Sequence, residues 1–219
     1  MRILIADDHE VVREGARMLI EREPGWEVCG VAENGRDAVT LAAKLQPDVV
    51  VLDLSMPELN GLDAALQIKR QLAQTEVLIF TGQETDELVR KVFEAGAKSF
   101  ILKSEASRHL VEAIRSLCQH KPFFTTTVSA VLFARFLERC HGGSSQSDSD
   151  EQTADRLSPR EREIVQLLAE GRSNKDVANM LGISLRTAET HRATILRKLR
   201  LDSFAGLVRY AIRNKIIEA

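Results

Sequence analysis

No apolar run in this 219-residue chain approaches the roughly 20 residues that a membrane-spanning helix needs. Cysteine is scarce. Cys29, Cys118 and Cys140 are an odd set with no C-x-x-C spacing, which argues for reduced thiols in a cytoplasm and against a disulfide or zinc framework. Met1-Arg2 runs directly into Ile3-Leu4-Ile5, so no secretory leader is expected. Residues 141–151 contain no large apolar side chain, only His, Gly, Ser, Gln, Asp and Glu. Such a stretch cannot bury enough surface to order itself, and a flexible linker is expected over 142–155.

Elsewhere hydrophobic residues reach 44%, enough for a proper core, and the length suits one or two domains. The net charge of −2 hides an asymmetry. Residues 1–120 carry 14 Lys and Arg against 20 Asp and Glu, while residues 158–219 carry 12 against 7. An acidic front and a basic back imply two domains with different partners, the second a polyanion.

The stretch Pro47 to Pro57 organises the acidic part. Val49-Val50-Val51-Leu52 is an unbroken apolar run between turn signals, the pattern of a strand buried on both faces of a parallel sheet. It ends on Asp53. Similar short strands are expected at 2–6, ending on Asp7-Asp8; at 27–32; at 77–80, ending on Thr81-Gly82; and at 99–102, ending on Lys103. Helical spacing of apolar residues predicts helices over 9–22, 36–45, 61–72, 85–95 and 107–119 between and after them. Five strands alternating with five helices imply a doubly wound α/β sheet of order 2-1-3-4-5, with ligands at the carboxyl ends of its strands. One more helix is expected over 125–139.

The strand ends supply matched chemistry. Asp7, Asp8 and Asp53 crowd one edge and cannot all stay ionised without a cation. Oxygen ligands alone, with no His or Cys nearby, favour Mg²⁺ or a similar hard ion. A carboxylate beside such an ion can attack a phosphoryl group. The Thr81 hydroxyl, the Lys103 ammonium and the Gly82 N–H are donors for the oxygens of the transferred group. These residues resemble the receiver domain of bacterial response regulators, the CheY-like fold, over residues 1–121. The resemblance implies that Asp53 accepts phosphate from a sensor histidine kinase, helped by Thr81 and Lys103. It also implies that Asp8, Asp53 and the Ser55 carbonyl bind Mg²⁺ directly, with Asp7 acting through water. Phe100 would be the aromatic switch that follows Thr81. Two departures from the family stand out: Phe100 has no hydroxyl, and Ser104 replaces the usual proline, which leaves the geometry of the Lys103–Ser104 peptide open.

After a segment expected to combine a linker helix and a flexible linker (122–156), structure restarts at Leu157. Ser158, Pro159 and Glu161 form a helix-start signature, and Gly171 a stop. Ser173 or Asn174, Ser184 and Ser203 start three further helices, so that residues 157–219 make a small all-α domain. Leu157 to Glu163, Gly171 to Lys175 and Ser184 to His191 resemble a LuxR-type helix-turn-helix of the NarL/FixJ class. The helix 185–199 is then the one that enters the major groove of double-stranded DNA. Ala188, His191, Ile195 and Leu199 recur at helical spacing and are expected inward. Glu189, Thr190 and Ala193 are expected nearest the bases, with Arg186, Arg192, Arg197 and Lys198 mainly on phosphates. Glu189 either accepts from cytosine or pairs with Arg186 or Arg192.

The combined resemblance implies a phosphorylation-controlled transcription regulator that dimerises on phosphorylation, contacts promoter DNA, and has RNA polymerase as a further partner. A haloacid-dehalogenase-type phosphatase would carry an Asp-x-Asp pair after one strand, which Asp7-Asp8 and the separate Asp53 do not match, so no enzyme is expected. A ligand-sensing LuxR-type regulator would need a cavity-forming sensor domain in place of the βα alternation. A receiver working without phosphate, through protein contacts alone, is the remaining alternative.

Overall fold

A computed structural model describes residues 1–82, 92, 97, 99–125, 129 and 157–217. The expected helices at 85–95 and 125–139 and the linker at 142–155 lie largely outside the described residues. The chain divides into two compact units, Met1–His141 and Gly142–Ala219.

In the first unit, β1 (Arg2–Ala6), β2 (Glu27–Ala32), β3 (Val49–Leu52), β4 (Glu76–Thr81) and β5 (Ser99–Leu102) are all parallel, and their order is β2-β1-β3-β4-β5. Helices α1 (Glu10–Glu21), α2 (Gly35–Leu45), α3 (Gly61–Gln71) and α4 (Ala106–Cys118) cover the sheet. Strand side chains alternate between its faces. Leu4, Val50, Leu52, Val77, Ile79 and Phe100 join the core under α2 and α3. Ile3, Ile5, Val49, Val51, Leu78 and Ile101 join the core containing Ala16 and Ile20 of α1 and Leu110 and Ile114 of α4. Each such side chain, withdrawn completely from water, contributes about 1.5–3 kcal/mol.

The sheet has one strand more than expected. Phe123–Phe124 forms β6, parallel to β5, pairing Ser99 with Phe123 and Phe100 with Phe124. It lies past the expected receiver limit at residue 121. Among the described residues no peptide is cis, so Lys103–Ser104 is trans. It opens a short 3-10 turn, Lys103–Glu105, that leads into α4.

The second unit contains α5 (Pro159–Ala169), α6 (Asn174–Leu181), α7 (Leu185–Lys198) and α8 (Phe204–Arg213). Ser158 accepts from the Glu161 N–H at 3.2 Å and its own N–H donates to Glu161 Oε2 at 2.6 Å, the reciprocal box expected from the sequence. Ser173, not Asn174, caps α6, through the Asp176 N–H. Caps of this kind contribute about 1 kcal/mol each. Gly182 ends α6 at φ 63°, a conformation that favours glycine. Ile164, Leu167, Val177, Ala188, Ile195, Leu207 and Ala211 fill the core. No helix among the described residues is long and apolar enough to cross a membrane.

Candidate functional site: a phosphoacceptor edge and a nucleic-acid interface

The carboxyl ends of β1, β3, β4 and β5 place Asp7, Asp53, Thr81 and Lys103 along one edge of the sheet, because all four strands run parallel. Asp7 and Asp53 are buried, at 0% and 1% exposure, whereas Asp8 is exposed. Lys103 Nζ lies 2.8 Å from Asp7 Oδ2 and 2.9 Å from Asp53 Oδ2. Apart from this ammonium, neither oxygen has a hydrogen-bond partner among the described residues. Asp53 Oδ1 accepts from the Leu54 N–H at 2.8 Å, and Asp7 Oδ1 from the His9 N–H at 2.9 Å.

Burial pushes the Asp53 carboxyl up to about 6, against the pull of Lys103. Burial alone would lower the Lys103 pKa, but Asp53 and Asp7 outweigh it and hold the ammonium above its ordinary value. A cation is thus already part of this edge, and it is insufficient to bring Asp53 back to a normal carboxylate.

Asp7, Asp8, His9 and Asp53 each offer a ligand atom, all within 4.8 Å of one another. Two buried carboxylate oxygens held by a single ammonium fit a hard divalent cation. The expectation of oxygen ligands with no histidine nearby needs one correction. His9 Nδ1 sits 2.6 Å from Asp8 Oδ1 and 3.4 Å from Asp7 Oδ1, because the chain turns into α1 immediately after the aspartates. The signal was in plain view, since His9 directly follows Asp8 in the sequence.

The loop after β3 is tied down by glycine. Gly61 N–H donates to Leu54 O at 2.9 Å, and a Cβ on Gly61 would fall 1.9 Å from Asp53 O. Only glycine lets α3 start so close to the Asp53 backbone. Ser55 follows in the same loop, half-buried. Phe100 is fully buried, in register with Ile79 of β4 and Phe124 of β6. Thr81 is buried beside Leu102.

In the second unit, Ser184 caps α7 through the Thr187 N–H at 3.0 Å. Arg186, Glu189, Thr190, Ala193 and Arg197 are exposed along the helix, while Ala188, Ile195 and Leu199 are buried and His191 half-buried. Thr190 Oγ1 donates to Arg186 O at 2.8 Å. Glu189 makes no ion pair with Arg186 or Arg192 among the described residues. Two of the basic residues have partners within the fold. Lys198 Nζ is 2.8 Å from Glu161 Oε2, and the Arg192 guanidinium lies 5.8 Å from the centroid of the Phe204 ring. Leu185 is 47% exposed at the first position of α7. In the sequence it is an apolar residue standing outside the inward stripe.

Residues 3–115 match the family described as the response regulator receiver domain, and residues 155–211 the bacterial regulatory proteins of the luxR family. Over the full chain, the sequence is similar to the transcriptional regulatory protein LiaR of Bacillus subtilis, 35% identical with 99% of each chain covered. It is likewise similar to the oxygen regulatory protein NreC of Staphylococcus epidermidis, 36% identical with 100% of each covered. Among solved structures, the two-component response regulator RcsB in complex with DNA has a TM-score of 0.56 at 26% identity, covering 96% of both chains.

Proposed function

We propose that Asp53 is the phosphoacceptor in a chain that belongs to the two-component response regulators, phosphorylation-controlled DNA-binding regulators of transcription with a receiver domain and a LuxR-type helix-turn-helix. In this reading an Asp53 carboxylate oxygen attacks the phosphorus of a phosphohistidine on a sensor kinase. The new P–O bond forms as the P–N bond breaks, and the electron pair returns to the kinase imidazole. Asp7, Asp8, Asp53 and the Ser55 carbonyl would hold Mg²⁺. Bound there, the ion neutralises charge on the phosphoryl oxygens. Lys103 supplies a fixed ammonium, Thr81 a hydroxyl and Gly82 a backbone N–H to the same oxygens. Phe100 is the side chain that responds when Thr81 moves.

The observation that carries this reading is the edge itself. Asp7 and Asp53 are buried, and among the described residues their Oδ2 atoms are held by Lys103 alone. Incubation with Mg²⁺ and acetyl phosphate is expected to add one base-labile phosphoryl group. Asp53→Asn is expected to fold and take none. A phosphorylated Asp53→Asn protein, or label on Ser55, would overturn the assignment.

The DNA-binding unit is read as presenting α7 to the major groove. Glu189, Thr190 and Ala193 lie nearest the bases and Arg186 and Arg197 on phosphates, with the partly engaged Arg192 and Lys198 at the flanks. The exposed Glu189 carboxylate, unpaired among the described residues, favours an acceptor role toward cytosine over a pair with Arg186 or Arg192. We place the receiver limit after β6, at residue 125, and the start of the DNA-binding domain at Leu157. One helix-turn-helix reads a half-site, so specific binding calls for two copies. Phosphorylation then acts by pairing receivers, which raises the local concentration of the tethered DNA-binding domains in the cytoplasm. Phosphorylated full-length protein is expected to sediment as a dimer at concentrations where the unmodified form is monomeric. An unmodified protein that is already dimeric, with unchanged DNA affinity, would exclude this control and point to unmasking or to recruitment of RNA polymerase.

A further inference from the structure

The apolar stripe that α1 turns toward the sheet contains one charged residue. Arg13 stands one turn before Ala16 and two before Ile20, and like them it is buried. Its side chain is only 10% exposed, although a guanidinium is expensive to remove from water. Nothing in the phosphoacceptor chemistry above uses it.

Its contacts close a ring. Arg13 Nη1 donates to the backbone carbonyl of Asp7 at 2.8 Å, and Arg13 Nη2 donates to Glu33 Oε1 at 2.8 Å. Glu33 follows Ala32, the last residue of β2, and the Ala32 carbonyl accepts from the Asp7 N–H at 3.2 Å. The path runs from Asp7 N–H to Ala32, along the chain to Glu33, through the guanidinium, and back to the Asp7 carbonyl. Both peptide groups flanking Asp7 are therefore held. The second of them is the peptide that joins Asp7 to Asp8, so its orientation decides where both carboxylates point.

From this geometry we infer that Arg13 is a positioning residue for the divalent cation. It fixes the Asp7–Asp8 peptide so that the two carboxylates are pre-aimed at the ion, without touching the ion itself. The inference rests on the Mg²⁺ reading of this edge. The planar fork of arginine serves a carbonyl and a carboxylate at once, and the single ammonium of a lysine does not reproduce it. Partners one step outside a metal's ligands commonly alter affinity by about ten- to a hundredfold.

The test uses the full chain, with Mg²⁺ binding followed by isothermal calorimetry and acetyl phosphate labelling rates read across Mg²⁺ concentration. Arg13→Lys is expected to weaken Mg²⁺ binding about tenfold, while the labelling rate at saturating Mg²⁺ returns to within about twofold of the parent. Glu33→Gln keeps an acceptor for the fork and is expected to stay close to the parent. Glu33→Ala removes one arm at an exposed side chain, so it is expected to fold even where an Arg13 variant does not, and to weaken Mg²⁺ binding by about threefold. A parent that binds Mg²⁺ beside a folded Arg13→Lys or Glu33→Ala variant of equal affinity would overturn the role of the arginine alone. A parent that binds no Mg²⁺ would overturn the cation reading, and this inference with it.

Discussion

The two units hold the side chains of the proposed function in opposite places. In the receiver, Asp7, Asp53 and Thr81 are buried, and Lys103 is only 18% exposed. In the helix-turn-helix, Arg186, Glu189, Thr190, Ala193 and Arg197 all stand in solvent. The difference follows from the work each does. Making and holding a phosphoryl bond needs charges fixed in a water-poor setting, where each interaction is strong and no reorganisation is required. Reading DNA needs side chains that reach outward from a rigid helix into a groove. Burial of the Asp53 charge therefore costs the fold that carries it, whereas the exposed side chains of α7 carry no such burial cost.

Asp53→Asn tests that contrast most severely. Phosphoryl acceptance is expected to vanish, while metal-free stability rises. The Asp53 carboxyl titrates near 6 when folded, against an ordinary value of 3.8. Between about pH 4 and 6 the folded protein keeps a proton that the unfolded chain has lost, so wild-type stability falls as pH rises through that window. The penalty is complete above about pH 7. Chemical denaturation without Mg²⁺ at pH 7.5 is expected to find Asp53→Asn more stable by about 1–3 kcal/mol, a gain that disappears below about pH 4. A loss of stability at pH 7.5 would mean that Lys103 more than offsets the buried charge.

Gly61→Ala probes the same edge through its backbone. The new methyl has no room beside Asp53 O, and thermal unfolding is expected to report a loss of about 1–3 kcal/mol together with slower labelling.

Lys198→Ala should change stability as well as DNA binding, because the ammonium of this α7 residue also pairs with Glu161. It is expected to cost about 0.5–1 kcal/mol of stability and to lower the salt dependence of DNA binding by about one unit.

Glu189→Ala and Thr190→Ala mark the other end of the range. Stability is expected to stay within about 0.5 kcal/mol of wild type while the preferred bases change in a binding-site selection. Selection of the wild-type motif by both variants would move the reading face elsewhere.

Much of this contrast was legible in the residue order. Unbroken runs such as Val49 to Leu52 announced buried parallel strands, and the residues closing those strands announced the edge. The helix starts at Ser158 and Ser184 were readable because a cap and its partner lie three residues apart. What the residue order does not show depends on contacts that no local pattern carries. A two-residue strand at Phe123–Phe124 has no period to detect. Arg13 reads as a surface arginine near the start of a helix until its two partners come in from β1 and from the end of β2. The tie of Lys198 to Glu161 spans 37 residues, and the approach of Arg192 to Phe204 joins two helices.

The small β6 strand also bears on what this sheet can do in a crowded solution. An outermost strand is a row of unused amide donors and acceptors, an invitation for another chain to add itself. Here the outer side of β5 is already occupied opposite Ser99 and Phe100, and Ser99 Oγ donates to Phe123 O at 3.0 Å. The edge left beyond it is two residues long, too short to template much. At the far side β2 runs out of step with β1 between Ile3 and Leu4, passing over Cys29. An irregular border on one side and a stub on the other discourage strand-on-strand adhesion. Among the described residues, the β6 side of the sheet thus leaves little room for another strand.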